Sequence, residues 1–435
     1  MKHTFPILLL LLLLFTAVYG FAQTPVTTAD QMVSIALESN YDIRLTQADA
    51  DISRLNNTRA NAGILPTINL VANENFTLSA FNQQLANGTE FNTLGAPFNS
   101  ANVGIQLNWP LFDGRRMYIA KRRLEALESL GQLNLRAAVQ TTIANVLQAY
   151  YAIVRGRLQE QALAEIIALN EERLRIAEAR LAAGFAAQTD ALQARIDLNQ
   201  RRADLLNQQT TTMVAKRTLN RLLVRVPDNA FEVDENMVNT YQPDRSALIE
   251  KILAQNPTLV ALQKTAEVSA LLVEESQTLN KIRLTGLGQL SAQRADNGAG
   301  FTKRNTQAGL SLGANLVVPL YTGGNLRRQV EVSRLAAQQA ALRVDIQRMT
   351  IESELDDQIA IFQTQQQVLL LEEENVRNAR ENLNVSTERF RLGQANGLEI
   401  QIAQNTLEQA LSRRNLVLYN LKMAELQLRF LAGEL

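Results

Sequence analysis

Cysteine is absent from the 435-residue sequence, and histidine occurs once, as His3. The missing thiols exclude cysteine redox chemistry, thiolate metal sites and a lipidated N-terminal cysteine. Because His3 lies in a segment that we expect to be removed, the mature chain also has no imidazole for acid–base catalysis or for binding zinc. A nucleophile motif and a phosphate-binding glycine loop are missing as well. We therefore predict no enzymatic activity, no metal site and no cofactor.

The sequence also lacks an excess of charge of either sign, because 43 Lys and Arg residues balance 43 Asp and Glu residues. Such a chain has no basic footprint for nucleic acid. Residues 1–22 contain one lysine, an apolar run over Ile7–Val18 and small residues before Gln23, which is typical of a signal peptide. An uncleaved anchor would need a longer run of ~20 apolar residues. No later stretch is apolar enough for a membrane-spanning helix, so we expect a periplasmic protein, a secreted protein or an outer-membrane β-barrel.

Two halves of the chain repeat one another. The segments LNWPLFDGRR and LVVPLYTGGN share a Pro-Leu-aromatic sequence followed by glycine, and their prolines, Pro110 and Pro319, are 209 positions apart. The same offset pairs Gly184 with Gly393 and Arg180 with Arg389, and at an offset of 216 Asn40 pairs with Asn256. Four pairs in one order indicate a duplication. We predict a first repeat at 23–226, a second at 248–435, and a connector at 227–247 that holds a short strand.

Proline is missing from two long stretches, 114–181 and 325–392, which are rich in Ala, Leu, Gln, Glu and Arg. Apolar residues recur there at helical spacing. A helix of this length extends about 100 Å at 1.5 Å per residue. Each stretch ends at a glycine, Gly184 or Gly393, after which a second helix returns. We predict long helical hairpins over about 114–223 and about 325–431, packed laterally like coiled coils.

Before each long helix the apolar period changes from helical to two. Val103, Ile105, Leu107 and Trp109 alternate with polar residues, and so do alternate residues from Leu310 to Val318. Partner strands lie upstream, although the second of them carries Leu287 on its polar side and two glycines on its apolar side. We predict strand hairpins over about 66–112 and about 283–321, with Asn- and Gly-rich loops at about 79–100 and about 295–305.

These strands suit either a half-buried soluble sheet or a membrane barrel. Two hairpins cannot close a barrel, because even a small packed barrel needs about eight strands. Membrane strands would therefore have to be shared between protomers, and a threefold assembly would give twelve strands without an open edge.

The order of these features, together with the closing segment YNLKMAELQLRFLAGEL, resembles the TolC-like outer-membrane efflux protein (OEP) family over essentially the whole mature chain. The resemblance implies a mainly α fold with a β-barrel part, in which a homotrimer forms a 12-stranded β-barrel in outer-membrane lipid and a 12-helix periplasmic α-barrel tunnel. It further implies the exit duct of a tripartite efflux or type I secretion system. Such a duct passively conducts substrates to the exterior from a periplasmic adaptor and an inner-membrane efflux pump or ABC exporter. A periplasmic coiled-coil scaffold or adaptor without a barrel remains as the alternative.

The resemblance also implies three functional regions. Adaptor docking falls on the tips of the helical hairpins, at Ala183, Gly184, Phe185, Ala186, Thr189, Leu392, Gly393, Gln394, Ala395 and Asn396. The periplasmic constriction falls on Asp190, Glu399 and Ile402. The turns from barrel to helix contain Trp109, Pro110, Gly114, Pro319 and Gly323, where proline cannot donate to a sheet and glycine eases the change of direction.

The constriction departs from the pattern of the family's well-studied member. Ile402 stands where that member has an aspartate ring, and Ala395 stands where it has a basic residue paired with an acid that matches Asp190. We therefore expect either a closure lined by apolar or Asn and Gln side chains, or a remaining acidic ring that consists of Asp190 and Glu399.

Overall fold

The computed structural model describes residues 26–237, 241–300 and 302–435. The signal peptide predicted for residues 1–22 and part of the predicted connector lie outside the described residues. The first half contains, in order, β1 (Val26–Thr27), α1 (Ala29–Ser39), α2 (Tyr41–Asn56), β2 (Thr67–Gln84), β3 (Glu90–Phe112), α3 (Arg116–Ala182), α4 (Gln188–Leu222) and β4 (Glu232–Val233). The second half contains α5 (Arg245–Gln255), α6 (Pro257–Gln277), a short 3-10 turn (Thr278–Asn280), β5 (Arg283–Asn297), β6 (Arg304–Val317), α7 (Asn325–Arg391) and α8 (Gly397–Ala432).

Both halves therefore contain the same series of two short helices, a strand hairpin, a 67-residue helix and a return helix of 35 or 36 residues. The predicted long helices and the predicted short strand of the connector are confirmed. That strand, β4, pairs in parallel with β1.

The described residues form two compact units. One contains the residues up to Thr46 together with Leu135–Pro257 and Arg348–Leu435, and the other contains Gln47–Asn134 and Thr258–Gln347. In the first unit, glycine lets α3 and α4 pack closely, because a Cβ on Gly156 would lie 2.6 Å from Thr212 Oγ1. In the second unit, a Cβ on Gly131 of α3 would lie 3.2 Å from Ala50 Cα of α2. Close helix contacts explain why these two helical positions carry glycine despite its low helix propensity.

The repeated asparagines Asn40 and Asn256 have the same structural role in the first unit. Each is the C-cap of a short helix, α1 or α5, and each is 4% exposed. The Asn40 Nδ2 donates to the carbonyl of Leu222 at 2.9 Å, and the Asn256 Nδ2 donates to the carbonyl of Leu431 at 2.9 Å. Because the last carbonyls of a helix have no partner within the helix, each asparagine ties a short helix to the end of the return helix of its own half.

A hydrophobic cluster in the first unit surrounds Tyr150 of α3. The Tyr150 Oη accepts from the Asp234 amide at 2.9 Å and lies 3.1 Å from the carbonyl of Thr27. The hydroxyl thereby joins β1 and the residue that follows β4 to α3. Burial raises the pKa of Tyr150 to about 12.

The second unit contains an antiparallel sheet in the order β2-β3-β5-β6. The predicted loop at about 79–100 is wrong, since β2 and β3 leave only residues 85–89 between them. The loop predicted at about 295–305 is present but slightly shorter, at residues 298–303. Asn- and Gly-rich composition indicated loops, but polar side chains on one face of a strand give the same composition. The prediction that Leu287 lies opposite the apolar face is confirmed, because Leu287 pairs with Asn108 and Gly313.

The first hairpin ends at Phe112, as predicted, but Trp109 and Pro110, which were predicted to lie in the turn from barrel to helix, belong to β3. Pro110 pairs with Thr285 inside β3, which continues to Phe112 after a register shift. The strand tolerates proline here because β2 begins opposite Asn108 and leaves one side of β3 unpaired at Pro110. In the second half, by contrast, β6 ends at Val317 and Pro319 lies beyond it.

Candidate functional site: hairpin tips and an amphipathic sheet

The two hairpin tips have the same backbone structure. In the first, Gly184 has φ +78° and donates to Leu181 O at 3.0 Å, while Phe185 N donates to Arg180 O at 2.8 Å. In the second, Gly393 has φ +76° and donates to Phe390 O at 3.1 Å, while Gln394 N donates to Arg389 O at 2.8 Å. This is the Schellman arrangement, which requires a left-handed residue that glycine adopts without strain. The sequence repeat at these glycines is therefore a repeat of helix termination.

Most of the residues predicted at the tips are exposed. Phe185 is 78% exposed and Leu392 is 68% exposed, which is unusual for large apolar side chains at a turn. Ala183, Gly184, Thr189, Gly393, Gln394 and Asn396 are exposed too, and Ala186 is intermediate. Ala395 is the exception, since it is 8% exposed and belongs to the core beneath the tips.

Arg180 joins the two tips and is a residue that the sequence-based assignment of tip positions missed. Its Nη1 donates to the carbonyl of Phe390 at 3.0 Å, and its guanidinium carbon lies 5.1 Å from the centre of the Phe390 ring. Its Nη2 would lie 3.8 Å from a Cβ on Gly393. Arg180 thus holds the end of α7 by a charged hydrogen bond and a cation–π contact.

The residues predicted at the constriction differ in their surroundings. Glu399 forms an ion pair with Arg389 across the second hairpin, and its amide donates to Asn396 Oδ1 at 3.0 Å. Asp190 occupies the equivalent position of the first hairpin, 209 residues earlier, is exposed, and forms no ion pair with any described residue. Ile402 is 56% exposed. The second hairpin therefore has a neutralised carboxylate where the first has an uncompensated one.

Ion pairs also connect the long helices below the tips. Glu172 of α3 binds Arg175 through two short contacts of 2.6 and 2.7 Å and lies 3.4 Å from Arg391 of α7. The hydrogen bonds from Arg175 are the main reason why the pKa of Glu172 is lowered, with a smaller contribution from Arg391. About two turns before Glu172 on α3, Glu165 pairs with Arg380 of α7 at 2.8 Å.

Between these ion pairs the helices enclose a core of small residues and one buried charge. Alanines occupy much of the core, which lets four helices approach closely: Ala162, Ala177, Ala191, Ala194, Ala379, Ala403 and Ala410. Arg173 is 3% exposed and pairs with Asp197 of α4 at 2.8 Å. Gln404 of α8 donates to the carbonyl of Leu169 at 3.0 Å. Removing one partner of a buried pair is costly, so this network fixes the alignment of α3 with α4 and α8.

The sheet of the second unit has one apolar and one amide-rich face. On one face, the register of the four strands forms three neighbouring rows of apolar or small side chains. These rows are Ile68, Leu107, Gly288 and Leu312; Leu70, Ile105, Leu290 and Leu310; and Ala72, Val103, Ala292 and Ala308. Rows on the other face contain Asn69, Gln106, Gln289 and Ser311, and Asn73, Asn102, Gln293 and Gln307. The apolar side chains are open to solvent in the single chain, as shown by Leu70 at 75% and Leu312 at 77% exposed. An exposed apolar face of this extent marks contact with a membrane or another protein.

The predicted turns from sheet to helix differ in detail. In the first, Gly114 has φ +73° and a Cβ there would collide with the Lys281 side chain, so this position requires glycine. Trp109, 45% exposed, lies on the apolar face opposite Gly286. In the second turn, Gly323 has φ +60° with open space around it.

Two further properties of the described residues concern membrane-spanning helices and metal sites. None of the helices within 26–237, 241–300 and 302–435 combines the length and the apolar character needed to cross a bilayer. The same residues contain no group of three or more His, Asp or Glu side chains placed to hold a metal ion.

Known proteins share this sequence and fold. The family model described as outer membrane efflux protein matches residues 32–224 and 248–434. The chain is 26% identical over 323 residues to the outer membrane efflux protein BepC of Brucella suis, covering 73% of this chain and 68% of BepC. It is 24% identical over 392 residues to the pyoverdine export outer membrane protein OpmQ of Pseudomonas aeruginosa, covering 87% of this chain and 79% of OpmQ.

Solved structures agree with this assignment at the level of the fold. The Campylobacter jejuni CmeC outer membrane channel superposes with a TM-score of 0.80 at 17% identity, over 93% of this chain and 85% of that one. Proteins of this family are transport ducts rather than enzymes. The family match extends over both halves of the sequence, so the chain belongs to the outer membrane efflux protein family and is located in the outer membrane.

Proposed function

We propose that three copies of this chain form the exit duct of a tripartite efflux or type I secretion system. The observation that carries the proposal is the four-stranded sheet, which has an exposed apolar face, an amide-rich face and two unpaired edges, β2 and β6. These edges, of 18 and 14 residues, pair with no other strand of the described residues and leave rows of backbone donors and acceptors unsatisfied. Three sheets joined edge to edge would make a closed barrel of twelve strands, with the apolar face toward lipid and the amides toward the lumen.

The long helices support the same assembly. Leu335, Leu342 and Met349 recur at intervals of seven residues on α7 and are 53%, 59% and 71% exposed. A heptad seam that none of the described helices of its own chain covers suits packing against a neighbouring protomer. Four long helices from each of three chains would line a twelve-helix periplasmic tunnel.

The hairpin tips are the proposed docking surface for a periplasmic adaptor. Phe185 and Leu392 expose apolar side chains beside glycine turns that allow a partner's backbone to approach closely. The adaptor would connect the duct to an inner-membrane efflux pump or ABC exporter, which supplies the energy. Asp190, Glu399 and Ile402 would face the axis just inside the tips and form the constriction, each present three times.

Fractionation tests the proposal. We expect the full chain in the outer membrane as a trimer that survives detergent extraction and forms channels in planar bilayers. Recovery as a soluble periplasmic monomer would instead support the alternative, a coiled-coil scaffold without a barrel. The named relatives, which are outer-membrane efflux and export proteins, give that alternative no support.

A further inference from the structure

A cluster of charged side chains interrupts the apolar face of the sheet near the β5–β6 turn. Arg294 and Asp296 lie two residues apart on β5, and Arg304 lies directly opposite Asp296 on β6. All three side chains therefore lie on the face that carries the apolar rows. The Asp296 side chain is 35% exposed, whereas those of Arg294 and Arg304 are 53% and 61% exposed.

The carboxylate holds both guanidinium groups by one nitrogen each. Arg294 Nε donates to Asp296 Oδ2 at 2.8 Å, and Arg304 Nε donates to Asp296 Oδ1 at 2.6 Å. Within the described part of the chain, the Nη nitrogens of both arginines have no hydrogen-bond partner. The cluster has a net charge of +1 and presents two oriented guanidinium groups, the geometry that binds phosphate oxygens in pairs.

The location of the cluster along the sheet indicates which region of the membrane it contacts. The apolar rows extend along β5 from Leu284 to Ala292, which is about 27 Å at about 3.4 Å per residue. With a strand tilt of about 40°, this corresponds to about 20 Å of membrane thickness, close to the apolar band of about 25 Å on membrane barrels. Arg294 comes two residues later, at the polar boundary and at the end of the sheet away from the helices.

We propose that Arg294 and Arg304 bind the phosphate groups of a phosphorylated lipid in the outer leaflet of the membrane. The inference rests on the proposed function, because it requires the apolar face to contact lipid and the helices to point into the periplasm. The acyl chains would lie on the row of small side chains formed by Ala72, Val103 and Ala292, and the phosphates would reach the free guanidinium nitrogens. Glu74, the nearest acid on this face outside the cluster, is on β2 and accepts from Asn99 Nδ2 at 3.3 Å. It is two strands away from β5 and does not neutralise Arg294.

Native mass spectrometry of the full chain, extracted in detergent as its assembly, tests this site with lipid A as the probe. We expect the double variant Arg294→Gln/Arg304→Gln to bind lipid A at least about tenfold more weakly, since charge-assisted hydrogen bonds are lost. Lipid A without its phosphates should bind the unaltered protein as weakly as intact lipid A binds the double variant. Arg283→Gln is the matched control, because Arg283 lies on the same strand at the end nearest the helices. It should leave lipid A binding unchanged.

Several results would overturn the proposal. The proposal is wrong if the double variant binds lipid A as tightly as the unaltered protein does, or if dephosphorylated lipid A binds as tightly as lipid A. It is also wrong if Arg283→Gln weakens binding as much as the double variant does. Displacement of lipid A by excess inorganic phosphate would indicate a site for free anions instead. The proposed function is tested separately, by recovery of the same variants in the outer membrane and by their conductance. If the variants insert and conduct but bind lipid A normally, only the lipid site is wrong.

Discussion

Removing the partner of Glu399 should tighten the block of the channel by divalent cations. Arg389 neutralises Glu399, whereas Asp190, its equivalent in the first hairpin, forms no ion pair with any described residue. Arg389→Gln would therefore change the charge at the proposed constriction from about −1 to about −2 per chain. Asp190→Asn would change it by the same amount in the opposite direction.

The size of the effect follows from Coulomb's law. A divalent cation on the axis, about 6 Å from each of three carboxylates in a water-filled pore, gains about 1.4 kcal/mol from each of them. Screening at physiological salt reduces this by roughly half. Three carboxylates together contribute about 2 kcal/mol, or about a 30-fold change in the blocking concentration.

Single-channel recording with added Mg²⁺ measures this change. We expect Arg389→Gln to lower the half-blocking concentration about 30-fold and Asp190→Asn to raise it by a similar factor. The double variant, which restores the net charge, should return close to the unaltered protein. The assignment of these residues to the pore would be refuted if Arg389→Gln left the block unchanged or if the two effects failed to cancel, provided that each variant is still recovered as a trimer.

Three further predictions concern local stability. Arg180→Ala removes a charged hydrogen bond and a ring contact at Phe390, which together contribute about 2 kcal/mol, so amide hydrogen exchange at the second tip should accelerate about 30-fold. Arg180→Lys should recover part of the protection, and an exchange rate equal to that of the unaltered protein in Arg180→Ala would contradict the contact. Asn40→Ala and Asn256→Ala each leave a buried helix-end carbonyl unpaired, at a cost of about 1–3 kcal/mol, and hydrogen exchange should increase at the end of the return helix of the same half only. Tyr150→Phe should expose the connector to protease, because β1 and the residue that follows β4 lose their bond to α3. Since the pKa of Tyr150 is raised to about 12, the contribution of its protonated hydroxyl to the stability of the fold is complete below about pH 10 and is lost as the pH rises through about 12. A pH series of proteolysis on the unaltered protein would measure this loss.

Sequence periodicity predicted the elements well where a single period dominates. The proline-free helices appeared as expected, and the alternation around Ile105 and Leu310 correctly gave the face of each side chain. The predicted extent of the first loop was wrong, because a strand with amides on one face has the composition of a loop. In the first hairpin, Asn82 and Asn92 are strand residues paired with each other, although both lie inside the predicted loop.

The partners of repeated residues could not be read from the sequence. The offset that equates Arg180 with Arg389 was visible, but it suggested equal roles. Arg389 pairs within its own hairpin, whereas Arg180 reaches the backbone of the other. That contact joins residues 210 positions apart and depends on how two hairpins pack, which local patterns do not encode. Asn40 and Asn256 likewise appeared as a repeated letter, and only the fold identified the helix-end carbonyls that they bind.

The two unpaired sheet edges also constrain how the protein is made. A lone chain leaves the outer backbone groups of β2 and β6 without partners, and each such group costs several kcal/mol inside lipid. A monomer or dimer of the proposed duct therefore has no stable inserted state, and insertion must coincide with the meeting of the third chain. Biogenesis should then depend steeply on the concentration of exported chains. A chaperone that shields the edges before assembly would prevent the chains from aggregating edge to edge on the way to the membrane.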